Sequence, residues 1–111
     1  VNRNLPFKEA TPQEIKQRLD AGEDLLLIDV REPEEVEVAA IKQAEVYPLS
    51  QAEGWIDSLP QDRELVIFCH HGGRSAYAAG ELAQRGHTNI TNMTGGIDAW
   101  SEQVDRDVPR Y

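Results

Sequence analysis

The sequence predicts an α/β fold built on a mostly parallel sheet, and three observations carry that prediction. Two continuous apolar runs, residues 25–30 (LLLIDV) and 65–68 (LVIF), have the length of strands. Their lack of alternation fits strands buried under helices on both faces of a sheet. Segments with helical start and stop signals lie between and after these runs, so that strands and helices alternate along the chain, the pattern of parallel crossover units.

Each element has a local reason. Thr11-Pro12-Gln13-Glu14 has the form of a capping box, with Pro12 at the first helical position. Ile15 and Leu19 lie four apart and Gly22 follows as a stop, so residues 11–21 are expected to form a helix. Residues 31–37 are charged, with Pro33 opening a short helical turn. Val46 and Tyr47 are expected to form a short strand closed by Pro48. Trp55, Ile56 and Leu59 point to a helix across the fifties that stops at Pro60. Ser75 is expected to cap a helix running to Arg85, with Ala76, Ala79, Leu82 and Ala83 as its packing face and Gly86 as its stop. Ile90 and its neighbours suggest another short strand, and Gly95-Gly96 turns the chain into a last helix holding Ile97 and Trp100. Beyond Val104 the residues have the character of a polar tail. With no repeat, linker or low-complexity stretch, a single domain over residues 1–111 is expected, its core at about 7–104.

Composition narrows the function. A chain of 111 residues can bury a core without staples. The formal net charge of -9 argues against nucleic acid or an anionic membrane as partner. No segment is long and apolar enough to span a bilayer, and residues from Val1 onward lack the basic run and apolar stretch of a signal peptide. A small anionic substrate stays open, because a local nest of backbone amides overrides net charge. Cys69 is the only cysteine. An internal disulfide, a four-cysteine zinc site and a two-cysteine redox pair are therefore excluded. A lone thiol suits a reducing compartment, so the cytoplasm is expected.

The chemistry concentrates in Cys69-His70-His71-Gly72-Gly73-Arg74-Ser75, directly after the second apolar run. In open α/β sheets ligands bind beyond the carboxyl ends of strands. Gly72 and Gly73 let the loop curl so that successive N–H groups point inward, the following helix adds partial positive charge, and Arg74 adds a full one. All three favour a thiolate and a bound oxyanion beside it. The alternative is a buried cysteine, acting as a small hydrophobe before a Gly-rich turn.

The run CHHGGRSAYAAGELAQRGHTNITNMTGGIDAW resembles the active-site half of rhodanese domains, where a loop cysteine, Gly-Arg-Ser, a helix and a GG-x-x-x-W element recur. Upstream, LLLIDVREPEEVEVAAIKQA resembles the opening Asp-Val-Arg-Glu segment of that family. The resemblance covers roughly residues 7–100. It implies a rhodanese-like, five-stranded parallel sheet with helices on both faces, and a Cys69 persulfide formed from a donor such as thiosulfate. One departure stands out. Where the family often has Gly-His-Ile-Pro-Gly-Ala, this chain has Ala39-Ala40-Ile41-Lys42-Gln43-Ala44.

Roles follow for individual residues. Cys69 is the expected nucleophile, and the backbone of His70, His71, Gly72, Gly73 and Arg74 the substrate cradle, with the Arg74 side chain touching the donor. Ser75, Asp29 and Arg31 are expected to support the loop. Adjacent histidines rarely converge on one ion and no ligand cluster accompanies them, so no metal is expected. His87, just past Gly86, is expected to be a partly buried helix-end residue.

Three functions compete. In sulfur transfer, Cys69 attacks the outer sulfur of thiosulfate and passes it to cyanide or a thiol, a protein thiol included, with no cofactor. In hydrolysis, a cysteine phosphatase would want five residues between Cys and Arg and an acid for the leaving group. Here the loop has four, and no aspartic acid stands out. A pure interaction module would be marked by loss of the cysteine, which is present.

Overall fold

The computed structural model describes residues 5–111. The expectations that reach into residues 1–4, the absent signal peptide and the start of the single domain, lie outside the described residues. The elements in chain order are β1 (Lys8–Ala10), α1 (Pro12–Asp20), β2 (Leu25–Asp29), α2 (Pro33–Val38), β3 (Glu45–Val46), a 3-10 turn (Leu49–Gly54), β4 (Glu64–Phe68), α3 (Gly73–Gln84), β5 (Ile90–Met93) and α4 (Gly96–Gln103). The strands form one sheet in the order β1-β5-β4-β2-β3, and each of these pairings is parallel. The α/β architecture with a parallel sheet is as the sequence pattern predicted, and its five strands are as the family resemblance implied.

Side-chain alternation along the central strands divides the core into two layers. Leu26, Ile28, Leu65 and Ile67 face α3 and the fifties segment, packing with Ala78, Ala79, Leu82, Trp55 and Ile56. Leu25, Leu27, Val66 and Phe68 face the other way, toward Ile15 of α1 and Ile97 and Trp100 of α4. Helices on both faces explain why β2 and β4 are buried along their whole length.

Helix α1 starts as its sequence dictates: the Thr11 hydroxyl accepts the Glu14 N–H, and the Glu14 carboxylate accepts the Thr11 N–H at 2.8 Å. Three expectations need correction. The fifties do not form an α-helix; a 3-10 turn ends at Gly54, and further turns carry the chain to Pro60. Trp55, Ile56 and Leu59 are nevertheless buried, so the apolar pattern reports a packing surface rather than a helical period. The short strand lies at Glu45–Val46, one residue earlier than expected, with the Tyr47 N–H bonded to the Asp29 carbonyl. Helix α3 begins at Gly73, ahead of Ser75, for a reason that belongs to the site.

Strand β1 has no strand signal in its sequence. Its three residues carry two charges and lie at the sheet edge, where charge discourages pairing with another chain. No helix among the described residues is long and apolar enough to cross a membrane.

Candidate active site

Strand β4 runs through the middle of the sheet and delivers Cys69 at its carboxyl end. The residue is 1% exposed. Its sulfur accepts the Gly72 N–H at 3.1 Å and the Ser75 N–H at 3.4 Å. Gly72 occupies the N-cap position of α3 with φ +114, a left-handed conformation that other residues rarely adopt. A cap side chain would ordinarily accept the N–H of the third helical residue. Gly72 has none, and the third residue is Ser75, so the Cys69 sulfur stands in that acceptor's place. This is why Ser75 does not cap the helix. It sits inside the first turn, its hydroxyl 2.6 Å from Asn92 Oδ1 and 3.1 Å from the Gly72 carbonyl. The sulfur thus receives two N–H dipoles at the positive end of a twelve-residue helix, an environment that stabilises negative charge on it.

The first two carbonyls of the loop turn away from the sulfur, toward α4. The Ile97 N–H donates to the Cys69 carbonyl at 2.9 Å and the Asp98 N–H to the His70 carbonyl at 3.1 Å. These two donors belong to the first turn of α4, so one helix end satisfies the outer rim of the loop while the other focuses on the sulfur. The approach is close. A Cβ on Gly96 would collide with the Cys69 carbonyl and lie 2.5 Å from that of His70. Gly95 and Gly96, the pair that turns the chain into α4, allow this approach at φ +77 and +58. Trp100, four positions beyond Gly96, is core.

A chain of polar side chains braces the flank. Arg31 and Asp29, both buried, pair through Nε to Oδ1 at 2.9 Å and Nη2 to Oδ2 at 2.7 Å. Arg31 also donates to the Ala39 carbonyl at 2.7 Å, which fixes the segment where the sequence departs from Gly-His-Ile-Pro-Gly-Ala. Arg74 does not stand free at the loop. Its two terminal nitrogens donate to Glu35 at 2.7 and 2.9 Å. That guanidinium holds the Glu35 carboxyl down at about 2, against the contrary effect of partial burial, and Glu35 in turn raises Arg74 above its ordinary value. The Tyr111 hydroxyl joins the chain between Arg31 and Glu35. Glu35, Asn92 and Tyr111 were not singled out by the sequence. Asn92 alone left a signal, a polar residue in a wholly buried strand.

His70, His71 and Asp98 bring ligand atoms within 4.8 Å of one another. The imidazoles, however, are stacked, with centroids 3.9 Å apart and planes at 28°. A ring nitrogen binds a metal in its own plane at about 2 Å. Planes this close to parallel meet too far away for both lone pairs to reach one ion. Arg110 already holds both oxygens of Asp98. His87 is buried at the end of α3, where desolvation lowers its pKa.

The chain and its fold are matched by known proteins. The sequence profile described as a rhodanese-like domain matches residues 11–103. The chain belongs to the rhodanese-like domain family. This rhodanese-like domain is 37% identical over 93 residues to a sulfurtransferase of Allochromatium vinosum, covering 84% of this chain and 87% of that one. It is 38% identical over 104 residues to a Mycobacterium tuberculosis protein named "Probable adenylyltransferase/sulfurtransferase MoeZ", covering 91% of this chain and 26% of the relative. The chain thus corresponds to a part of that longer protein. Among solved structures, a rhodanese-related protein from Thermoplasma volcanium superposes with TM-score 0.78 at 30% identity, covering 88% of this chain and 94% of the other. A single-domain sulfurtransferase of Saccharomyces cerevisiae does so with TM-score 0.73 at 27% identity, covering 96% and 98%. Sulfur transfer is the general chemistry this membership supports.

Proposed function

We propose that the rhodanese-like domain carries sulfane sulfur as a persulfide on Cys69, taking it from thiosulfate or a similar donor. The observation that carries the reading is the sulfur itself, capped by the Gly72 and Ser75 amides at the start of α3. The Cys69 thiolate bonds to the outer sulfur of thiosulfate, the donor's sulfur–sulfur bond breaks, and sulfite leaves with the electron pair. The loop amides from His70 to Arg74 stabilise the charge that moves between the two sulfurs. Arg74 has five N–H donors in its guanidinium, and the bonds to Glu35 leave an edge for the donor anion. Ser75, Asp29 and Arg31 hold the loop in place.

An acceptor such as cyanide or a thiol then takes the outer sulfur and restores the Cys69 thiolate, so both half-reactions balance without a cofactor. Cys69 is the only cysteine, so the acceptor comes from outside the chain; a protein thiol is one form of it. The thiol must stay reduced to act, which suits the cytoplasm.

Hydrolysis of a phosphate ester is the competing use of a Cys-nest-Arg site, and the loop length separates the two. Four residues separate Cys69 from Arg74, and in this short loop Cys69 is a buried residue. The wild type is expected to form thiocyanate from thiosulfate and cyanide, with ping-pong kinetics, and hardly to hydrolyse an aryl phosphate. Inserting one Gly between Gly72 and Gly73 should cut sulfur transfer by about ten- to a hundredfold, the effect of displacing reacting groups by about an ångström. A wild type that hydrolyses aryl phosphates faster than it makes thiocyanate would put the hydrolase reading in place of this one.

A further inference from the structure

The residues after α4, expected to be a polar tail, are instead tied to the cysteine loop. Val108 is buried in the core and Arg110 holds Asp98. Tyr111 lays its ring on His70, centroids 3.9 Å apart and planes at 3°. His70 stacks on His71 from its other side, so the residue beside Cys69 lies between two rings. The Tyr111 hydroxyl fills both of its hydrogen-bonding roles: it accepts from Arg31 Nη1 at 2.8 Å and donates to Glu35 Oε2 at 2.8 Å. Glu35 is the carboxylate that holds Arg74. One side chain therefore touches the loop at His70 and reaches its far end through Glu35 and Arg74.

We propose that Tyr111 is a positioning residue for sulfur transfer, its ring fixing the His70 flank of the Cys69 loop and its hydroxyl fixing the Glu35–Arg74 pair. This rests on the reading of Cys69 as the sulfur-carrying residue. The two attachments come apart by substitution. Tyr111→Phe keeps the ring and removes the bridge to Glu35, whereas Tyr111→Ala removes both. Arg74 is where the donor anion binds, so losing the bridge weakens donor binding. The thiosulfate concentration for half-maximal persulfide formation should rise about fivefold in the Phe variant, the scale of one hydrogen bond, with the maximal rate within about twofold of wild type. Losing the stack as well leaves the loop loosely held, and the maximal rate in the Ala variant should fall about tenfold or more.

The experiment follows persulfide formation on Cys69 over a range of thiosulfate concentrations in the wild type and both variants. The fraction of protein that finally reacts is recorded together with the rate. Simple unfolding would lower that fraction and leave the half-maximal concentration of the remainder unchanged, so the two effects are distinct. If both variants match the wild type in both constants, or if the Ala variant reacts faster, Tyr111 is not a brace and the proposal is overturned. If the wild type itself takes up no sulfur, the failure lies in the sulfur-transfer reading, and the proposal falls with it.

Discussion

Cys69 plays two parts through the same atom. Its sulfur is the proposed nucleophile, and it is also the acceptor that completes the N-terminus of α3. Removing it should therefore be felt in stability as well as in chemistry. Cys69→Ala leaves the Gly72 and Ser75 amides without an acceptor, and loss of a helix cap costs about 1 kcal/mol, up to about 2. Cys69→Ser keeps an acceptor in place. The Ala variant should lose about 1–2 kcal/mol relative to the Ser variant in urea unfolding. Equal midpoints for the two would show that the sulfur does not cap the helix. The residues around it were unequally legible. Cys69, the glycines and Arg74 are neighbours in sequence, and their chemistry could be read from their order. Glu35 lies 39 positions from Arg74, and Tyr111 lies 80 from Arg31. Only the fold brings such pairs together, so no local pattern announces them.

At the scale of elements, the site is two helix N-termini set against one loop, α3 aimed at the sulfur and α4 at the outer carbonyls. Gly96 is where this arrangement is tightest, since a Cβ there would meet the carbonyls of Cys69 and His70 and the backbone has φ +58. Gly80, inside α3, has nothing within 4 Å of its Cβ position. Opposite outcomes are expected from the same substitution. Gly80→Ala should stabilise by about 1 kcal/mol through helix propensity. Gly96→Ala should destabilise by about 2 kcal/mol or more and slow persulfide formation, because loop and helix must move apart. Urea midpoints of the two variants, set beside their persulfidation rates, check the contrast. A harmless Gly96→Ala would mean that the close approach of α4 is not needed to shape the loop.

The strong local signals set their elements well. The capping box of α1 and the apolar runs of β2 and β4 lie where the sequence puts them. The weak ones did not. Strand β1 is three residues of mixed polarity held only by its pairing with β5. The fifties are bracketed by Pro48 and Pro60 and satisfy their apolar residues by turns. In both places tertiary packing decided what local pattern could not.

For the whole molecule, two ion pairs tie distant parts of the sheet and helices together and make stability depend on pH. Glu64, buried at the start of β4, is held at about 2 by the Arg18 side chain of α1, with Thr91 assisting. Glu35 is held at about 2 by Arg74. Both lie below the ordinary carboxylate value of 4.5. The unfolded chain then binds protons first as the pH falls. The stabilisation is fully present above about pH 4.5 and is lost as the pH drops through the folded values near 2. Urea midpoints should decline gently below about pH 6.5, where the unfolded chain protonates His87 before the folded one does, and fall steeply below about 4.5 as the two carboxylates protonate. Glu64→Gln should start lower and fall less steeply. An acid limb of the same slope in wild type and variant would show that Glu64 does not carry the effect.

The central claim, that the thiol at the focus of these helices carries sulfur, is tested most directly by the intact mass of the protein after incubation with thiosulfate. The account predicts one added sulfur, about 32 Da, on the wild type, removable by cyanide or reductant. Cys69→Ser should gain nothing under the same conditions. A wild type that stays at its original mass, or a Cys69→Ser protein that gains the same increment, would contradict it.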